Sequence, residues 1–427
     1  MQRRIAPLVL HDGIRNIPPE ILAHIFRIAH LGGGNQPHRI TETLSLVCRR
    51  FRDSCLRTPE MWSSLRHDLS LDKTRLHLLR SKDNTINIII HDSHLEEPTR
   101  LNAAKFLELV LPHTTRWGSL DINTEDSRLN WFLSNLPIVH LPRLARIRHV
   151  ETDEMYQYDS QFFYSKWNMP SLRSLDGINV MPGRIFNGSN ITECKLSWVP
   201  SWDTLRRQPR RIFLMNDLTS SLDSLQSLQI LDLDFQQTDV AGAPAPVAFL
   251  SNLKSLTLRF GRYITSSDAL YEVMVLFYPP ALDTLHITIW NHQGARACKE
   301  IFTRHETPNI FRNLKTFSLR TDHYNDWNPF FSELLRQSPL LLHLVIQVSF
   351  TSFAQDIGVV NPEHLQTITF EKCDRLFEPH ITAMYKNWRG RTMRRVEVIE
   401  CKCLSESFLS KWEVTLKKDN VRLLWQV

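Results

Sequence analysis

The stretch Leu228-Gln-Ile-Leu231-Asp-Leu233, repeated as Leu253-Lys-Ser-Leu256-Thr-Leu258 and Leu282-Asp-Thr-Leu285-His-Ile287, decides the fold. Each copy reads apolar, two variable, apolar, one variable, apolar. The closing alternation has the two-residue period of a strand with one buried face. The phrase continues as Leu314-Lys-Thr-Phe317-Ser-Leu319, Leu341-Leu-His-Leu344-Val-Ile346, Leu365-Gln-Thr-Ile368-Thr-Phe370 and Met393-Arg-Arg-Val396-Glu-Val398. An earlier copy is Leu172-Arg-Ser-Leu175, and weaker ones sit at Leu120-Asp-Ile122, Ile147, Cys194-Lys-Leu196 and Ile212-Phe-Leu214. From Leu231 onward the middle apolar positions step by roughly 24 to 32 residues, the spacing of stacked supersecondary units.

Working outward, turn cues precede the phrases: Met169-Pro170, Ser251-Asn252, Pro279-Pro280, Arg312-Asn313 and Asn361-Pro362. Helical stretches such as Ser267 to Phe277 and Trp327 to Gln337 lie between them. A strand followed by a helix that returns beside the previous strand builds a parallel β/α solenoid, in which each repeat buries the face its neighbour leaves open. The spacing overlaps that of leucine-rich repeats, which these phrases resemble in degenerate form, since the usual closing Asn is missing or replaced. The expected count is about 11 to 13 repeats. A solenoid of helix pairs is the alternative, disfavoured because the phrases are short and rich in β-branched residues, as at Ile86 to Ile90. The last strand, Arg422 to Val427, reads as a closing edge.

Residues between the leucines point outward from such a sheet. On the later repeats they include Asp232, Asp234, Arg259, His286, Trp290, Arg320, Gln347 and Glu371, with Arg395 and Glu397 beyond. Both charges and a large aromatic on one face are what recognition of a protein target requires. These positions are the candidate target-binding set.

Ahead of the repeats stands a different kind of segment, Asn16 to Leu65. Pro18 and Pro19 pre-set the backbone of a helix start, and Glu20 suits the positive end of its dipole. Ile21, Leu22, Ile25, Phe26 and Ala29 recur at helical spacing and give one broad apolar face. Gly32, Gly33 and Gly34 end that helix. Thr41 or Thr43 caps a second, on which Leu44, Val47, Cys48 and Phe51 share a face while Arg49, Arg50 and Arg52 take the other. Thr58 and Pro59 open a last turn bearing Met61 and Trp62. Ile17, Leu22, Ile25, Phe26, Leu46, Val47 and Trp62 exceed what three short helices can bury among themselves. The surplus packs on the chain's own next segment or docks a partner.

The order of residues here, I-P-P-E-I-L-x-x-I-F, then L-S-x-V-C-R-R-F-R-D, then T-P-x-x-W-x-S-L, resembles an F-box, and most of all the F-box proteins of mushroom-forming fungi. The match covers about an eighth of the chain. Ile17 stands where Leu is commoner, and Phe51 where Trp often follows the arginines; both keep an apolar side chain. The resemblance implies a three-helix F-box over 16–66, after an N-terminal arm over 1–15 and before a leucine-rich-repeat solenoid over 67–427. It also implies docking on a Skp-type adaptor, and through it on a cullin–RING ubiquitin ligase. Ile17, Pro18, Leu22, Ile25, Phe26, Val47, Cys48, Arg49 and Trp62 would then make the adaptor contact, as an apolar cluster with a basic rim. The implied role is a non-catalytic substrate receptor; the alternative is an interaction scaffold outside any ligase.

Composition narrows the remaining classes. The chain has 427 residues, 42% hydrophobic and 22% charged, which is ordinary for a folded protein. Only 13 glycines argue against phosphate-cradling loops, and neither a GxxxxGK[ST] nor a G-x-S-x-G is present. His305-Glu306 begins a zinc-protease phrase, but Asn309 replaces the second His. Cys401 and Cys403 lack zinc-site spacing, and Cys373 near them reads as a buried thiol, so no metal or cofactor is expected. Seven cysteines at irregular positions suit a reducing compartment, cytoplasmic or nuclear. No apolar run approaches the ~18 residues of a membrane span. Arg206, Arg207, Arg210 and Arg211, and Arg389, Arg391, Arg394 and Arg395, form basic clusters without interleaved aromatics, which disfavours nucleic acid.

Overall fold

The structure, a computed structural model, describes residues 16–33, 37–91, 98–124, 133, 139–151, 167–180, 190–198, 212–235, 239–241, 250–261, 281–290, 311–321, 328–348, 364–388 and 392–426. The chain divides into two compact units, Met1–Asp153 with Lys166–Leu172, and Glu154–Ser165 with Arg173–Val427. The expected arm over 1–15, the helix over Ser267 to Phe277 and the basic cluster at Arg206 to Arg211 lie outside the described residues.

The first unit begins with three short helices, α1 (Pro19–Leu31), α2 (Pro37–Val47) and α3 (Arg49–Leu56), and a 3-10 turn over Pro59–Trp62. The chain then enters strand β1 (Ser64–Arg66) and continues through α4 (Leu71–Arg80), β2 (Ile86–His91), α5 (Pro98–Val110), β3 (Trp117–Thr124) and β4 (Arg146–Glu151). These four strands pair in chain order, all parallel. The helical segment is therefore no separate body. Its last residues, Ser64 to Arg66, are already a strand hydrogen-bonded beside Asn87 to Ile89. Residues 16–66 share one compact unit with the strands and helices that follow, Trp62 packing edge-on against His77 of α4.

The second unit holds β5 (Ser174–Ile178), β6 (Glu193–Ser197), β7 (Ile212–Leu214), α6 (Met215–Asp223), β8 (Ile230–Phe235), β9 (Asp239–Ala241) and β10 (Ser255–Phe260). It continues with β11 (Thr284–Ile289), β12 (Thr316–Thr321), α7 (Asn328–Gln337), β13 (His343–Val348), β14 (Thr367–Glu371), α8 (Glu378–Trp388), β15 (Arg395–Ile399), α9 (Glu406–Lys418) and β16 (Arg422–Gln426). Its main sheet runs β5-β6-β8-β10-β11-β12-β13-β14-β15-β16, while β7 and β9 pair separately. The neighbouring pairs from β5 to β16 are parallel, which disposes of the helix-pair alternative. As expected from sequence, β16 is the closing edge.

The repeated phrase has a structural meaning at each position. Its second and third apolar residues, such as Leu256 and Leu258 or Phe317 and Leu319, are the buried rows of the strand. Its first residue precedes the strand in a tight turn, with Leu253 N–H donating to Leu250 O at 3.1 Å and Leu314 N–H to Phe311 O at 3.1 Å. Successive repeats are clipped together at that turn. Lys254 O accepts from Asp283 and Thr284 N–H, Asp283 O from Lys315 and Thr316, and Lys315 O from Leu342 and His343, all at 2.8–2.9 Å. One carbonyl using both lone pairs satisfies donors that would otherwise be stranded at the sheet margin. Trp198, Phe235 and Phe260 stack along β6, β8 and β10 with centroids 5.0 and 5.5 Å apart. On the helical layer, Phe330 of α7 lies 5.9 Å from Phe317 of β12.

Candidate functional site

Two surfaces carry the residues singled out by sequence, one on the helices of the first unit and one on the sheet of the second. In the first, α1 starts where Pro18 O accepts from Leu22 N–H at 3.0 Å, and ends where Gly32 N–H reaches Ile28 O at 2.9 Å. The apolar face read as one is split in two. Leu22, Phe26 and His30 turn inward, with the Phe26 ring edge-on to Phe51 at 4.8 Å. Ile21, Ile25 and Ile28 are exposed by 44–58%, and Leu31 is 81% exposed. At about 100° per residue, Ile21, Ile25 and Ile28 fall within roughly a sixth of a turn of one another.

Trp62 is the pin of the inner face, not of the outer one. It is only 2% exposed, its indole N–H donates to Cys55 O at 2.9 Å, and its ring meets His77 of α4 edge-on at 5.0 Å. The Arg80 guanidinium lies 4.3 Å above the same ring. Burial pushes His77 down to about 4, outweighing the carboxylate of Glu42. A second buried link joins the helices to the turn. Thr41 donates to Met61 O at 3.0 Å, so its hydroxyl proton is committed and the His30 Nδ1–H donates to Thr41 Oγ1 at 2.9 Å.

The expected adaptor-contact set therefore divides. Leu22, Phe26 and Trp62 are core, together with Cys55 and Met61, and Ile17 packs half-buried against them. Leu22, Phe26 and Trp62 therefore leave almost no surface exposed, because the inward apolar face of the helices is the one their own unit covers. Pro18, Ile25, Val47, Cys48 and Arg49 are exposed. Ile21, Ile28 and Leu31, outside that set, are exposed on the same helix, and the i, i+4, i+7 spacing of Ile21, Ile25 and Ile28 is the sequence signal that groups the first two with Ile25. Leu46 and Val47 add exposed aliphatic area at the end of α2, and Arg27 of α1 and Arg49 and Arg52 of α3 are exposed cations.

On the second unit the target-binding candidates occupy two rows of the open sheet face. Asp232 and His286 share one row, through Thr257; Asp234, Arg259, Arg320 and Gln347 share the next, through Thr288. Arg259 bonds Asp232 and sits 4.0 Å from Asp234, whose side chain is nearly buried. Burial, with the Arg259 charge beside it and against Asp232, holds His286 below its ordinary pKa. Trp290 follows β11, half-buried, with the Arg320 guanidinium 4.8 Å over its ring. Glu371, at the end of β14, lies 3.9 Å from Lys372. The candidates are thus partly spent on one another, and Arg320 on its tryptophan base is the exposed one.

Among the described residues, no group of three or more His, Cys, Asp or Glu could hold a metal ion, and Cys55, Cys194, Cys373 and Cys401 are buried free thiols. Among them, too, no helix is long and apolar enough to cross a membrane. No protein-family model and no curated protein matches the chain.

Proposed function

We propose that this chain is the non-catalytic substrate receptor of a Skp–cullin–F-box ubiquitin ligase. In this reading residues 16–66 are an F-box that docks a Skp-type adaptor, and the parallel strands are degenerate leucine-rich repeats that hold a protein target. The observation that carries it is the second apolar face of α1. Ile21, Ile25, Ile28 and Leu31 stay in water after the unit's own core is complete. Side chains of that size gain roughly 25 cal/mol per Å² when covered, and a contiguous row of them marks a contact surface. Arg27, Arg49 and Arg52 nearby favour an acidic partner, chiefly by speeding encounter. The receptor would act by effective concentration, holding a target near the transferred ubiquitin at an effective concentration on the order of millimolar.

The test is co-purification of the full chain with a Skp-type adaptor, in parallel with an Ile25→Asp, Ile28→Asp variant. Stoichiometric binding by the parent and its loss in a folded variant is the expected result. A second reading, an interaction scaffold outside any ligase, draws on the packing of Trp62 against His77 and Arg80, by which the helices are already partnered within their own unit. Failure of the parent chain to bind the adaptor would favour it.

A further inference from the structure

We infer that the open face of strands β11, β12 and β13 binds an extended acidic segment of a partner protein, with Arg320 as its anchor; this deepens the receptor reading and rests on it. Nine side chains make up that face: Thr284, His286, Thr288, Thr316, Ser318, Arg320, His343, Val345 and Gln347. All nine are partly or fully exposed, while the residues alternating with them are buried. The registers place them in three rows, with Arg320 between Thr288 and Gln347, and Ser318 between His286 and Val345.

None of the nine is a carboxylate. On one flank Asp232 and Asp234 are held by Arg259; on the other Glu371, at the end of β14, lies 3.9 Å from Lys372, and beyond it Glu397 is held by Arg395 and by Thr369, whose hydroxyl donates to it at 2.7 Å. The three central strands are therefore a window of hydroxyl, imidazole and amide groups with Val345 around one guanidinium, flanked by acids that each have a cationic neighbour of their own. Arg320 is exposed, with its guanidinium 4.8 Å over the Trp290 ring, which restricts where it can swing. A guanidinium presents paired donors in a fork that matches a carboxylate or phosphate. With strands ~4.8 Å apart and rows about 7 Å apart, the window is wide enough for a few residues of extended chain. One anchoring cation and one aromatic suit a peptide better than a nucleic acid, which needs a longer run of phosphate contacts and several stacking rings.

The test uses the full chain and fluorescent degenerate 12-mer peptide pools, carrying fixed Asp/Glu, fixed phosphoserine, fixed Lys/Arg or no fixed charge, with a single-stranded oligonucleotide as a further arm. Expected is at least about tenfold tighter binding of the Asp/Glu or phosphoserine pool than of the neutral pool, a preference that fades as salt shortens the screening length. The two anionic pools separate carboxylate from phosphate as the preferred source of charge. Arg320→Glu should abolish the preference, while Arg320→Lys, which keeps charge but loses the fork, should retain only part of it. Equal binding of all pools, no binding of any, an unchanged preference in Arg320→Glu, or tighter binding of the oligonucleotide would overturn the inference. Adaptor co-purification of the same preparations reports on the receptor reading by itself. Adaptor bound without acidic preference sinks only the inference, and acidic preference without adaptor sinks the ligase assignment.

Discussion

The helices at the start of the first unit and the repeats of the second treat apolar side chains in opposite ways. In the repeats the three apolar positions of each phrase are buried from Leu228 to Val398, and exposed aliphatics such as Ile230 and Leu340 stand alone. In the helices Ile21, Ile25, Ile28, Leu31, Leu46 and Val47 all remain in water within some thirty residues of chain. A strand in a parallel stack has a neighbour on either side and a helical layer behind it, so its apolar rows always find cover. A three-turn helix with apolar residues around more than half of its circumference has cover for one side only. Regular burial means stability; the remainder is where binding is to be sought.

That contrast breaks first in the buried rows. Phe235→Ala, which empties the middle of the Trp198–Phe235–Phe260 stack, is expected to cost about 3–5 kcal/mol in urea unfolding. Trp62→Ala should cost a similar amount, because the ring is interior; a loss of adaptor binding with unchanged stability would put Trp62 back on the contact surface. The outer face of α1 should behave otherwise. Ile25→Asp with Ile28→Asp is expected to leave the unfolding midpoint nearly unchanged and to weaken adaptor binding by about 2 kcal/mol or more, read by calorimetric titration.

Protons sharpen the comparison. His77 and His149 are both pushed down to about 4, chiefly by burial, from an ordinary value of 6.5. Unfolding restores the ordinary value, so between about pH 6.5 and 4 the unfolded chain binds more protons than the folded one. Stability of the first unit should be full above pH 6.5, fall as pH drops through that window, and level off below it. Urea midpoints at pH 7.5, 5.5 and 4.5 check this, and His77→Gln should flatten the slope. The smallest effect is at a helix cap: Ser405, whose Oγ accepts from Phe408 N–H at 3.2 Å, should cost about 1 kcal/mol on change to Ala.

Much of this was legible in the residues. The six-residue phrase located strands β8 and β10 to β15, their buried rows and their parallel order, because a two-residue period and a fixed spacing admit few other packings. The proline pair and the triple glycine bracketed α1 correctly. Cys373 and Cys401 are buried thiols, as read, whereas Cys403, read with them, is only part-buried. What the residues left open was which apolar side chain of α1 faces which way. Ile21, Leu22, Ile25 and Phe26 are alike in hydropathy and adjacent on the helix, so pattern merges them into one face. Likewise, an alternating strand shows that Asp232, Arg259 and Arg320 point outward, but not which of them are already paired.

The amino-acid sequence by itself determined the strand phrase, the parallel β/α order, the limits of α1 and the excess of apolar area near the N-terminus, because these follow from local period and composition. The single helix expected to run from a cap at Thr41 or Thr43 through Phe51 is instead α2 from Pro37 and α3, separated by the extended backbone of Cys48. Only the tertiary structure decided that Trp62 turns inward onto His77 and Arg80, that Ile25 and Ile28 turn outward, and that Arg320 rests on Trp290 in a window free of carboxylates. Those outcomes depend on register between strands far apart in sequence and on which neighbour covers a given face. Neither is written in any single stretch of residues.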